Sequence, residues 1–238
     1  MAISGINNTS DAYTKLSSMK NINSAKDNSA GAAIVEGMKA QATESSVLAD
    51  NAGSKKDLLN VADGGLQIIT NSLQRMRELS IQAGNGTYTT QDRSTIQDEI
   101  EKLKQDITST ANNTEFNTKK LLNGQSESTA DSTLDALGLT DYDVTSGSFD
   151  TSKIDEALKK LGSQRGSIGA TSNALDSTIA YNKLSNENLT ASYSRIEDLD
   201  VEKAVSDMKK EEVLEEYRTF AQQAKQSQDA GALRLLNS

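Results

Sequence analysis

The sequence contains no proline in 238 residues, whereas average usage would give roughly 12. Proline is the commonest helix breaker, because its ring fixes φ and removes the backbone N–H. Apolar residues from Ile34 to Ala83 also recur at alternating intervals of four and three, the spacing of one stripe along an α-helix. Both features predict one long helix over about residues 28–83. Gly64 and Gly65 are a weak point in it that leaves the stripe in register.

Shorter patterns follow this helix. A second helix is predicted to start at Thr89, because Asp92 stands three residues later, as an acidic residue does in a capping box. Residues 116–122 indicate a strand or hairpin, and the Ser-, Thr- and Gly-containing residues 125–150 indicate a surface cap or loop. The helical spacing returns over residues 154–196, falters at residues 197–200, and a last stripe follows. The sequence therefore predicts a mainly α fold, an elongated antiparallel helical bundle or coiled coil with a small β-hairpin or loop cap.

Composition excludes several classes of function. The chain has 25 Lys and Arg against 34 Asp and Glu, a net charge of −9, which argues against a nucleic-acid partner because such binding needs a basic face. Without His or Cys, it has neither a serine–histidine hydrolase site nor a thiolate or imidazole zinc site. No apolar run approaches the ~18 residues of a membrane span, and no signal peptide is evident. We therefore expect no enzyme activity, no cofactor, no metal and no membrane partner.

The apolar fraction also limits the core. Hydrophobic residues make up 35% of the chain, below the usual ~45–50%, and the predicted seams contain many Ala, Gln, Asn and Ser. Two interpretations remain open. The chain is either a stand-alone coiled-coil bundle or a subunit whose weak seams are completed by copies of itself.

Several segments resemble motifs of bacterial flagellins, and together they span nearly the whole chain. They are Leu16-Ser-Ser18 with Ile22-Asn-Ser-Ala-Lys-Asp-Asn-Ser-Ala-Gly31, Leu73-Gln-Arg-Met-Arg-Glu-Leu79, Phe116-Asn-Thr-Lys-Lys-Leu-Leu122, Ile168-Gly-Ala-Thr-Ser-Asn173, Asn188-Leu-Thr-Ala191, Ser194-Arg-Ile-Glu-Asp-Leu-Asp200 and Leu233-Arg-Leu-Leu236. Three residues depart from the family pattern: Met19 stands where Gly is usual, Asn21 where Arg is usual, and Asn28 where a second Asp is usual. Only 15 residues precede Leu16, so the resemblance implies a shortened N-terminus.

The resemblance also implies a division of the chain. Residues 1–27 are expected on the inner-tube side of a filament, and residues 200–238 as the C-terminal inner-tube helix. Residues 28–124 and 151–199 are the two halves of a helical core domain. Residues 125–150 are a short variable tip in place of the large outer domains of longer flagellins.

The function implied by the resemblance is that of an extracellular structural protein. Flagellins leave the cell unfolded through the flagellar type III channel without a cleaved signal peptide, guarded by an export chaperone. They polymerise with copies of themselves beneath a cap, next to junction proteins, into the filament used for motility. The surface around the LQRxREL motif contacts neighbouring subunits and in many members binds Toll-like receptor 5; the matching residues here are Gln74, Arg75, Leu79 and Glu99. The C-terminal positions implied in polymerisation and chaperone binding are Leu214, Tyr217, Leu233, Leu235 and Leu236.

Two other functions compete with that of a filament subunit. A hook–filament junction protein shares the terminal motifs but usually has a larger middle region. A secreted, non-polymerising signalling or adhesive coiled coil agrees with the shortened N-terminus. For Arg75 and Glu99, a charge pair within the bundle competes with an interface role.

Overall fold

The structure is a computed structural model that describes residues 11–125, 131–146 and 149–236, with side chains described as far as residue 228. Five helices account for most of these residues: α1 (residues 11–18), α2 (Ser29–Ala83), α3 (Thr90–Asn113), α4 (Ser152–Glu197) and α5 (Val201–Leu236). A small antiparallel sheet pairs β1 (Glu115–Phe116) with β2 (Lys119–Lys120). The predicted mainly α fold with a small hairpin is confirmed.

Helix α2 is continuous over 55 residues, which corresponds to about 80 Å at 1.5 Å per residue. Asn28 caps its first turn, because the Asn28 Oδ1 atom accepts the Gly31 N–H at 2.9 Å. The helix passes through Gly64 and Gly65 without a break. The single long helix predicted from the four–three spacing is thus confirmed.

Helix α3 starts as predicted. The Thr89 Oγ1 atom accepts the Asp92 N–H at 3.3 Å, and the Asp92 carboxylate accepts the Thr89 N–H at 2.9 Å, which completes a reciprocal capping box. The Thr89 hydroxyl and N–H also lower the pKa of Asp92. After α3, a two-residue turn joins the strands: Asn117 and Thr118 have φ values of 49° and 66°, as a type I′ hairpin turn requires.

The chain divides into two compact units. We call Val47–Asn182 the hairpin unit, and Met1–Ser46 with Lys183–Ser238 the terminal unit. Helices α2 and α4 each contribute to both units, and they run antiparallel within each unit. In the hairpin unit, Lys56 pairs with Asp176 and Arg77 with Asp155; in the terminal unit, Lys39 pairs with Glu197 and Ser45 hydrogen-bonds Ser185.

The main apolar core lies in the hairpin unit. Its largest fully buried side chains come from α2, α3, the two residues after β2, the later loop and α4: Leu66, Ile69, Leu73, Met76, Ile100, Ile107, Leu121, Leu122, Leu139, Val144, Ile154 and Leu161. The loop that we predicted as a surface cap has no helix or strand in its described residues 131–146. However, it buries Leu137, Leu139, Tyr142 and Val144 in this core. It therefore forms part of the packing and does not merely cover it.

In the first half of the predicted α2 stripe Ser45 is buried as predicted, but the stripe is wrong by one residue at Ile34, Gln41 and Leu48. Ile34 and Leu48 are 50% and 47% exposed, whereas Val35 and Ala49 are buried. An α-helix has 3.6 residues per turn, so a strict 3.5-residue stripe drifts around it. From Ala52 onward most predicted positions are buried, Lys55 being an exception.

Candidate assembly surfaces

Arg75 lies on the exposed face of α2 and joins it to α3. Its Nε and Nη2 atoms donate to Glu99 Oε1 at 2.9 and 2.8 Å, and its Nη1 atom donates to Glu78 at 3.2 Å. The hydrogen bonds that Arg75 donates to Glu99, and then that to Glu78, raise the pKa of Arg75 above its ordinary value. The side chains of Arg75 and Glu99 remain 49% and 46% exposed. Arg75 and Glu99 thus form an ion pair within one chain, and both side chains remain accessible to solvent.

The other two residues of this predicted site have different surroundings. Gln74 is exposed beside Arg75. Leu79 is 2% exposed and belongs to the apolar core. The surface offered here is therefore formed by Gln74 and Arg75 of α2 and Glu99 of α3, whereas Leu79 is packed in the core.

An apolar stripe that the sequence analysis missed runs along α2 to Arg75. Val61 and Ile68 are 39% and 54% exposed, and seven-residue spacing places them on one helix face with Arg75. Gly64, between them, has open space where a Cβ would stand. The signal in the sequence was the paired apolar residues Val61-Ala62 and Ile68-Ile69, of which only the second member faces the core.

Helix α5 carries several exposed aromatic and aliphatic side chains. The predicted residues Leu214 and Tyr217 are 51% and 70% exposed, and Val213 and Phe220, which we did not predict, are 64% and 70% exposed. Over residues 201–228 no side chain is buried. The side chains of Leu233, Leu235 and Leu236 lie outside the described residues.

A third cluster, in the terminal unit, joins the segment before α2 to the segment after α4. The chain segments before α2 and after α4 meet at Lys20 and Asp198, which form an isolated antiparallel bridge. The Asn21 N–H donates to the Glu197 carbonyl at 2.7 Å, and the Leu199 N–H donates to the Met19 carbonyl at 3.0 Å. We call residues 19–21 and 197–199 the terminal junction.

The Glu197 carboxylate lies at this junction between two lysines. It is 9% exposed and pairs with Lys20 Nζ at 2.7 Å and with Lys39 Nζ at 2.8 Å. Lys39 Nζ also lies 5.7 Å from the centre of the Tyr193 ring, within cation–π range. Burial favours a raised pKa for Glu197, but the hydrogen bonds and charges of the two lysines outweigh it and lower the pKa.

No pattern in the sequence predicted this cluster, although both contributing segments lie within the motifs that resemble the family. Met19, the residue that departs from Gly, has a φ of 55°, in the left-handed region that glycine adopts readily. That departure was the available signal for a turn here. No spacing rule links it to Glu197, 178 residues later in the sequence.

The described residues contain no group of three or more acidic side chains arranged to hold a metal ion. None of the described helices has both the length and the hydropathy of a membrane span.

Comparisons with known proteins agree with the resemblance. Residues 4–127 match the family model of the bacterial flagellin N-terminal helical region, and residues 151–236 match that of the C-terminal helical region. A flagellin of Bacillus subtilis is 36% identical and is aligned over 84% of this chain and 83% of its own. The flagellar filament 33 kDa core protein of Treponema phagedenis is 32% identical over 84% of this chain and 82% of its own.

A solved structure gives the same result. The crystal structure of Bacillus cereus flagellin superposes with a TM-score of 0.50 at 25% identity, covering 56% of this chain and 88% of that one. Family models at both ends of the chain and relatives above 30% identity over most of its length lead to one conclusion: the chain belongs to the bacterial flagellin family.

Proposed function

We propose that this flagellin is a structural subunit of a bacterial flagellar filament and that its exposed apolar stripes are contacts between subunits. The observation that carries the proposal is the face of α5, where Val213, Leu214, Tyr217 and Phe220 are all at least half exposed. Full burial of one such side chain contributes about 1.5–3 kcal/mol. A relative in Treponema phagedenis is itself named as a filament core protein.

The geometry of a filament explains why such a face stays open in a single chain. A contact between different patches on successive copies repeats without closing, and the product is a helical polymer. The Val61–Ile68 stripe, which ends at Arg75, offers a second patch of this kind. The weak seams noted in the sequence favour the same interpretation, because neighbouring copies supply the missing apolar surface.

Assembly of the purified full chain tests the proposal directly. We expect long filaments in a sedimentation assay, seen by negative-stain imaging. A protein that stays in the supernatant at every concentration contradicts the proposal and favours the non-polymerising signalling or adhesive module. Short, self-limited assemblies that only extend pre-formed hooks favour the junction protein.

The remaining partners are part of the same proposal. An export chaperone would cover the C-terminal segment of α5, and cap and junction proteins would meet the subunit at the ends of the filament. Export without a cleaved signal peptide agrees with the composition, since a chain without proline and cysteine refolds with neither slow prolyl isomerisation nor wrong disulfides. Gln74, Arg75 and Glu99 are the residues proposed to meet Toll-like receptor 5.

Arg75→Ala tests the role of the Arg75 surface. We expect the variant to fold normally, because the side chain is half exposed and the core beneath it is intact. The concentration needed for filament growth, or for receptor activation, should rise about fivefold to tenfold, since Arg is a frequent interface anchor. Sedimentation and a reporter-cell assay measure the two effects.

Arg77→Ala is the matched control. Arg77 is 47% exposed, and its substitution removes one ion pair, that with Asp155 at 2.6 Å, whereas Arg75→Ala removes the pairs with both Glu78 and Glu99. Equal effects of the two substitutions would mean that general loss of surface charge, and not the Arg75 contact, is responsible. Filament yield and receptor response equal to wild type in the Arg75 variant would refute the assignment.

A further inference from the structure

We infer that Glu197 is a positioning residue that holds both terminal helices, α1 and α5, in the orientation needed for assembly. This inference rests on the proposed filament function and deepens it. Its basis is the position of the Glu197 carboxylate at the end of α4. The carboxylate bridges Lys20, in the segment before α2, and Lys39, in α2.

The junction lies next to the ends of both helices. Helix α1 ends at residue 18, one residue before Met19, and α5 begins at Val201, two residues after Leu199. The two backbone hydrogen bonds at 2.7 and 3.0 Å therefore fix the residues from which both helices extend. A change at the junction must alter the directions of α1 and α5 together.

Apolar packing contributes little to holding these helices. No side chain is buried in residues 11–18 or in residues 201–228. Among described residues, direct polar contacts between the two helical stretches include the Tyr13 hydroxyl donating to Glu212 at 3.1 Å, an exposed bond. With so little burial, local opening is governed by the polar junction.

The charges around Glu197 make the carboxylate difficult to replace. Lys20 and Lys39 both donate to it, and Asp198 and Glu36 are the other charged groups that act on Lys20. Without the carboxylate, two ammonium groups lie close together, and among the described residues a cation–π contact with Tyr193 is what remains for Lys39. Their repulsion opposes closure of the bridge between Lys20 and Asp198.

The test uses Glu197→Gln in the full-length chain, with hydrogen exchange of the monomer. The opening constants of the Asn21 and Leu199 amides, corrected for intrinsic exchange, should rise at least about tenfold, while the Ile69 and Leu73 amides of the hairpin unit keep theirs. Asp176→Asn is the matched control, because it removes an exposed ion pair of α4, that with Lys56 at 2.5 Å. It should leave the junction amides unchanged.

Two further readouts separate positioning by charge from a loss of side-chain packing. A double-mutant cycle between Glu197→Gln and Lys39→Gln should show strong coupling. Protection of the wild-type junction should also fall as the pH drops through the lowered pKa of Glu197, below its ordinary value near 4.5, whereas Glu197→Gln should show no such step. Additive effects, or the same pH profile in both proteins, would overturn the inference.

Assembly completes the experiment. If the wild type forms filaments, Glu197→Gln should need a several-fold higher concentration to do so, and Asp176→Asn should not. Unchanged assembly by a variant with an open junction overturns the inference. If the wild type forms no filaments under the same conditions, the proposed function fails, while the amide exchange still decides whether Glu197 holds the junction.

Discussion

Met19 combines an exposed side chain with a left-handed backbone. Its φ is 55° and its side chain is 65% exposed. For a residue with a Cβ this conformation costs roughly 1–2 kcal/mol, and little burial compensates here. The carbonyl of Met19 nevertheless accepts the Leu199 N–H at 3.0 Å, so the turn is required for the junction.

Met19→Gly should therefore stabilise the junction. The relief of strain exceeds the additional backbone entropy that glycine loses on folding, and we expect a net gain of about 0.5–1 kcal/mol. Exchange of the Leu199 amide measures it. Met19→Ala retains the Cβ and should give no gain; equal protection in the two variants would show that backbone strain is not the cause.

Helix α2 contains two adjacent glycines with opposite surroundings. A Cβ on Gly64 would meet nothing within 4 Å, whereas a Cβ on Gly65 would lie 2.6 Å from both Leu122 Cδ1 and Thr114 Oγ1. Gly65 thus permits the close approach of the hairpin segment to α2. The sequence analysis treated both residues as one weak point, because glycine lowers helix propensity by the same amount at either position.

Opposite effects of alanine at these two positions follow. Gly64→Ala should stabilise the protein by up to about 1 kcal/mol through helix propensity, and Gly65→Ala should destabilise it by about 1–3 kcal/mol through overpacking. Urea unfolding followed by circular dichroism measures both. Stabilisation by both substitutions would show that the hairpin segment moves away from α2 at little cost.

Stability is unevenly distributed over the whole molecule. The buried apolar cluster from Ala62 to Leu161 lies entirely in the hairpin unit. In the described part of the terminal unit, the buried apolar side chains larger than alanine are Ile22 and Val35, and the other buried positions include small or charged residues such as Ala42, Ser45 and Glu197. Since apolar burial is the main favourable contribution to folding, the two units should differ in stability.

Hydrogen exchange of the monomer should show this difference. We expect the slowest amides in residues 62–83, 96–111 and 154–161, close to the global limit, and exchange at least about 100-fold faster in residues 201–228. Mass spectrometry of peptic fragments resolves these regions. After assembly, protection of residues 201–228 should rise; equal protection before and after would contradict the α5 face as a subunit contact.

The amino-acid sequence by itself determined the helical elements. The absence of proline, the four–three spacing and the Thr89–Asp92 cap are local properties, and they located α2, α3 and α4 to within about one residue at most ends. The motifs at both ends of the chain identified the family by their resemblance to flagellin sequences. The helical features depend on backbone geometry and on neighbours along one helix, so they can be seen without any tertiary contact.

Tertiary structure alone decided which faces are buried and which distant residues meet. It placed Leu79 in the core and Arg75 outside, and it buried Tyr142 of the loop that had been assigned to the surface. It also brought Glu197 to Lys20 and Lys39 across more than 150 residues of sequence. There are two physical reasons. Repeats of 3.5 and 3.6 residues diverge over a long helix. Ion pairs between distant segments depend on how the chain folds back, which no local pattern encodes.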